Sequence, residues 1–119
     1  ETFDPVPFWT SFWHIDGLPS AENGIVQGKI NNFTLLVGVC LQDVLEDFQG
    51  NFVVFPRSHH VMQKYFRDVG FEEAKKGLTN LPALPLAEPV QVKLKKGDIV
   101  IAHYMTCHSI APNIGHMIR

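Results

Sequence analysis

The chain has 119 residues, 45% of them hydrophobic, and a formal charge of −2 from 10 basic and 12 acidic side chains. That length supports one domain with a single core, the lack of a basic stripe argues against nucleic acid as a partner, and no apolar run is long enough to cross a membrane. Two cysteines, Cys40 and Cys107, are too few for a disulfide framework and read as buried free thiols in strand-like text.

Residues 1–13 combine Pro5 and Pro7 with Phe8, Trp9, Phe12 and Trp13. The prolines exclude a central strand, and the aromatics read first as core, with Trp9, Trp13 and the loop near Ile25 also suited to wall an apolar pocket. His14-Ile15-Asp16 forms a short strand ending at Gly17. Side chains two apart on a strand share a face, so His14 and Asp16 can reach one metal ion together. Residues 17–32 are turn-rich loop text. Asn32-Phe33-Thr34, formally a glycosylation sequon, reads as chance at the start of a strand. Residues 33–44 form that strand, and their near-continuous apolarity predicts burial on both faces.

A turn at 45–51 leads into a second strand that Pro56 stops. His59 and His60 read as a polar turn, because adjacent residues on a strand face opposite ways and cannot ligate together. Residues 61–78 are helical text that Gly70 divides into two short helices, with a solvated charged face at Glu72, Glu73, Lys75 and Lys76. Pro82, Pro85 and Pro89 mark an extended connector. Residues 90–98 alternate as a half-exposed strand, Gly97-Asp98 turns the chain, and residues 99–105 form an apolar strand carrying His103 as a packing residue. His108 opens the next strand and residues 116–119 begin the last, with His116 exposed. Short strands broken by turns around one helical insert predict a mainly β fold, a double-stranded β-helix of the jelly-roll, cupin-like kind.

His108 is the best third partner for His14 and Asp16. Two histidines and a carboxylate on one face are the ligand set of non-heme Fe(II) oxygenases, which leave the other positions open. Arg119 lies eleven residues after His108, beyond a turn at Pro112, Asn113 and Gly115. Its planar fork suits bidentate capture of a dicarboxylate. Cys107, next to His108, is expected to face away from the metal.

The ordered texts WHIDG, GNFVVFPRSHH, KGDIVIAH and HSIAPNIGHMIR cover nearly the whole chain. In that order they resemble the phytanoyl-CoA dioxygenase-like family of Fe(II)- and 2-oxoglutarate-dependent oxygenases. The resemblance implies iron on His14, Asp16 and His108, 2-oxoglutarate with its distal carboxylate on Arg119, and dioxygen as co-reactant. It implies hydroxylation of a C–H bond in a small or acyl-type substrate, with release of succinate and carbon dioxide. A carboxylate at Asp16 rather than Ala or Gly favours hydroxylation over halogenation. Two departures stand out. Arg57 occupies the glycine of the family's Pro-Gly-Ser-His, and Ile110 occupies a small hydroxyl position, leaving neighbouring Ser109 as the cosubstrate contact. The family also carries elements before and after this stretch, so residues 1–119 read as a trimmed catalytic core. Iron(II) chemistry favours a reducing, intracellular and cytoplasmic setting.

Two other classes compete. A cupin-like metal protein would bind the ion without 2-oxoglutarate turnover and would not need Arg119. A non-catalytic module on the same fold would bind no stoichiometric metal.

Overall fold

The apolar runs at residues 35–39, 52–54 and 99–103 pair as antiparallel strands in the computed structural model, which describes residues 13–21, 23–76 and 81–115. In chain order the elements are β1 (Leu35–Val39), β2 (Phe52–Val54), α1 (Ser58–Val69), α2 (Phe71–Ala74), β3 (Val90–Gln91), β4 (Ile99–His103) and β5 (His108–Ile110). β1 and β4 make a two-stranded ribbon in which Leu35 faces His103 and Val39 faces Ile99. The second sheet has the order β3-β2-β5, with Val53 opposite both Gln91 and Ser109. The chain thus runs from the ribbon (β1) to the three-stranded sheet (β2, β3), back to the ribbon (β4) and again to the sheet (β5), and the architecture is mainly β with a short helical insert. Among the described residues no helix is long and apolar enough to cross a membrane.

The core lies on one side of the three-stranded sheet. Ile15, Leu18, Phe55, Met62 and Cys107 form its buried centre, with Trp13, Tyr65, Phe66 and the connector residues Leu81, Leu84 and Leu86 packed around them. α1 contributes through one stripe: Ser58 and Met62 are buried, and Tyr65 and Phe66 continue the same face one and two steps along the helix. Burial pushes the Cys107 thiol up to about 11, against a lowering by Ser58, so it packs as a neutral side chain. Behind β2, the carboxamide of Asn51 is 1% exposed and fully used. Its Nδ2 donates to the carbonyls of Glu46 (3.0 Å) and Val92 (3.3 Å), and its Oδ1 accepts from the Gln49 amide at 2.9 Å.

Several expectations need correction. The helix starts at Ser58 rather than 61, so His59 and His60 belong to its first turn instead of a polar turn before it. Arg57 makes this possible by adopting φ 62° and ψ 9°, a left-handed conformation that glycine takes at no steric cost and other residues adopt rarely. The division of the helical stretch at Gly70 is as expected, and its amide donates to the Phe66 carbonyl at 3.0 Å.

β1 is shorter than residues 33–44 and is not buried on both faces. Leu35, Val37 and Val39 are more than half exposed, as are Ile99 and Ile101 across the ribbon. Apolar text cannot distinguish a strand covered on both faces from one in a two-stranded ribbon. The strand expected over 90–98 is reduced to Val90–Gln91 plus a bridge from Leu94 to Val44. Asp43 accepts the Lys96 amide at 2.7 Å and Asp98 accepts that of Lys95 at 2.8 Å, bending this segment out of the sheet.

Candidate metal centre

His14 and His108 are far apart in sequence and directly opposed in space. The amide of each donates to the carbonyl of the other at 3.0 Å, a closed antiparallel pair outside the named strands. Directly opposed residues of such a pair project to the same side, so the two imidazoles lie together with ring centroids 4.4 Å apart at 60°. Asp16 follows His14 by two residues but sits in a turn rather than a strand. That turn depends on Gly17, whose φ is +89° and where a Cβ would collide with the Asn31 carbonyl oxygen. The Asn31 amide in turn donates to the Gly17 carbonyl at 2.9 Å, holding the loop against the ligand segment.

The Asp16 carboxylate spans both rings, with Oδ1 3.7 Å from His14 Nε2 and Oδ2 3.5 Å from His108 Nε2. One donor atom from each residue lies within 4.8 Å of the others, and no other group of three or more His, Cys, Asp or Glu does this among the described residues. An ion about 2.0–2.2 Å from nitrogen and oxygen ligands needs neighbouring donors roughly 3 Å apart. The two acid contacts are within a small side-chain rotation of that spacing. The residues present therefore fit a divalent metal.

The protonation pattern also suits one. His108 Nδ1 lies 2.8 Å from the Thr106 carbonyl, which can only accept, so Nδ1 carries a proton and Nε2 is the ring atom that faces Asp16. Burial first, then the neighbouring His108, hold His14 below the usual histidine range, with Asp16 acting in the opposite sense. The His108 side chain is 8% exposed while those of His14 and Asp16 are 43% and 40% exposed. One side of the cluster is thus sealed by protein and the other is open to further ligands.

Phe52 packs on the sealed side, its ring centroid 5.3 Å from that of His108. Against Asp16 lies a small cavity of about 60 Å³, with Ile30 and Asn32 from the loop after the ligands and Tyr104 and Met105 from the β4–β5 turn in its wall. Ile30 and Asn32 bring the end of the 17–32 loop against Asp16, whereas Ile25 does not line this cavity.

Ser109 does not join the cluster. Adjacent residues on β5 face opposite sides, and Ser109 opposes Val53 on the face turned away from His108. Its hydroxyl is buried with no hydrogen-bond partner among the described residues. Arg119 and His116 lie outside the described residues, as do Phe8, Trp9 and Phe12. Trp13 packs against the core, matching the first reading of the aromatic segment.

His59, His60 and His103 gather separately at the start of α1, with His59 5.3 Å from His103 and 4.0 Å from His60 between ring centroids. His103 is committed elsewhere, its Nδ1 accepting the Met105 amide at 3.1 Å. Sequence reasoning missed Phe52 and the Thr106 carbonyl as supports of His108. The alternation of Phe52 with Val53 marks two faces, but nothing in it names the face that meets the histidine.

Comparison with family models, curated proteins and solved structures gives no match for this chain.

Proposed function

We propose that this protein is an Fe(II)- and 2-oxoglutarate-dependent dioxygenase that hydroxylates a C–H bond of a small or acyl-type organic substrate. The observation that carries the reading is the convergence of His14, Asp16 and His108 from separate segments onto one partly open point. Two imidazoles and one carboxylate with open positions remaining is the donor set suited to non-heme Fe(II). The exchange of strands between two sheets supports a double-stranded β-helix as the complete architecture, with the ligands at one mouth.

When bound, iron and 2-oxoglutarate supply dioxygen activation coupled to decarboxylation of the keto acid to succinate and carbon dioxide. The chain's own residues do the rest. His108 is held in its ligating tautomer by Thr106, and the backbone pair with His14 fixes the two imidazoles side by side. Asp16 would supply the carboxylate of the ligand set, filling a place that a halide would otherwise take, which favours hydroxylation. Phe52 and the sealed side keep water from His108. Arg119, by the spacing and resemblance noted in the sequence, would hold the distal carboxylate of the cosubstrate through its fork.

The test is anaerobic addition of Fe(II) and 2-oxoglutarate, following the metal-to-ligand charge-transfer absorption. Wild type is expected to develop the band, Asp16→Ala to lose it and Arg119→Ala to weaken it. Stoichiometric metal binding without the band would favour the cupin-like alternative. No metal binding would favour a non-catalytic module.

A further inference from the structure

The side chains of β1 are interrupted once, at Gly38. Glycine in mid-strand gives up packing and loses more conformational freedom on folding than any other residue, so its presence calls for a cause. Conformation is not the cause, because the backbone of Gly38 is not among those at positive φ. Collision is not the cause either, because a Cβ built there meets nothing within 4 Å. What the missing side chain leaves is space.

That space is a cavity of about 260 Å³, walled by Leu36, Gly38, Cys40 and Val100 of the ribbon region, by Leu94 and by Phe52 of the other sheet. Phe52 belongs to both places: it lines the cavity and packs against His108. No wall residue is charged, and the Cys40 thiol already donates to the Gln42 carbonyl at 2.9 Å. Nothing in the wall would pair with a carboxylate, so the cavity does not suit the distal end of 2-oxoglutarate. It suits apolar matter. An enclosed cavity of roughly 150 Å³ lined by aliphatic and aromatic side chains accepts benzene; this one is roomier but open to solvent on one side, so it suits a group that enters from outside.

We propose that the cavity seats the apolar part of the substrate, a compact group about the size of a fused bicyclic ring, and that Gly38 sets its size. The inference rests on the metal-centre reading for what is delivered to the iron, whereas occupancy of the cavity is measurable without it.

The probe is indole, titrated into metal-free protein by calorimetry and followed by NMR. Wild type is expected to bind it. Gly38→Leu fills the cavity and is expected to weaken binding at least tenfold while holding or raising the urea midpoint. Val100→Phe, filling from the partner strand, should weaken binding as well. Unchanged binding in both variants would overturn the proposal, and so would failure of Gly38→Leu to fold, since its side chain is assigned open space.

A second arm loads Mn(II) in place of Fe(II), with Zn(II) as the diamagnetic control. Manganese bound at the cluster is expected to broaden the indole protons in wild type and not in His108→Ala. Bound indole that stays sharp beside bound manganese would overturn the delivery role of the cavity. Absence of manganese binding would instead overturn the metal-centre reading, leaving the comparison of wild type with Gly38→Leu to decide the cavity.

Discussion

Replacing Asn51 by Asp changes one NH₂ group to oxygen in a site that is 1% exposed, with almost no change of shape. The new oxygen would face the Glu46 and Val92 carbonyls, now at 3.0 and 3.3 Å from a donor. Neither carbonyl can donate, so the ionised form is penalised by burial and by both dipoles, and the introduced carboxyl is driven to stay protonated. An ordinary Asp titrates near about 3.9 and full burial can raise a carboxyl by roughly three or more, at about 1.36 kcal/mol for each. A folded-state pKa raised above the unfolded one gives stability that is present at low pH and lost as pH rises. At pH 4 the protonated carboxyl still donates to one carbonyl, and the cost is about 1 kcal/mol for the other bond. At pH 8 it is roughly 4–5 kcal/mol, a large part of the ~5–15 kcal/mol that holds a domain of this size. Urea unfolding of wild type and Asn51→Asp at both pH values measures the difference, in which the effect of native histidines cancels. An equal loss at pH 4 and pH 8 would refute the donor role assigned to the Asn51 amide.

Met62 is 0% exposed in one buried cluster with Ile15 and Cys107, the sequence neighbours of His14 and His108, so Met62→Ala should cost about 2–5 kcal/mol in urea unfolding. Gly17→Ala forces a Cβ against the Asn31 carbonyl at φ +89°, and a loss of at least about 1 kcal/mol is expected, with weakened metal binding because the turn carries Asp16. Burial first, then His60, His103 and Arg57, hold His59 below the histidine range, and the first turn of α1 contains no acid to compensate. The unfolded chain then takes up the proton more readily, so stability should fall as pH drops below about 6.5. Urea midpoints at pH 7.5 and 5.5 should differ less in His59→Gln than in wild type.

The convergence of His14, Asp16 and His108 was legible in the sequence for different reasons at each residue. His14 and Asp16 were readable because two-residue spacing puts side chains on one side. The structure keeps that outcome although Asp16 reaches it through a glycine turn rather than a strand. His108 could be chosen as a ligand type at a strand start, but its exchange of backbone hydrogen bonds with His14 is a long-range contact that no local period encodes. Ser109 shows the limit of proximity in sequence, since one step along β5 carries its hydroxyl to the opposite face.

The fold was legible where a local signal has a single cause. Gly70 divides the helices, and the proline-bearing connector carries neither helix nor strand over residues 81–89. It was misread where one pattern has two causes. The run Leu35–Val39 is as apolar as a doubly covered strand, yet it lies in a ribbon with one face exposed. The alternation after Val90 looks like a continuous strand, but the Lys96 and Lys95 amides donate to Asp43 and Asp98 and bend it away. Arg57 turns the chain in a glycine conformation, so α1 begins earlier than its helical composition indicates.

Anaerobic equilibrium dialysis against Fe(II) tests the convergence of three side chains on one ion most directly. Wild type is expected to bind one iron per chain. Alanine at His14, Asp16 or His108 should each weaken it by more than about 100-fold, the upper range for loss of a mere supporting residue. Wild-type affinity retained in His108→Ala, or no stoichiometric iron in wild type, would contradict the assignment.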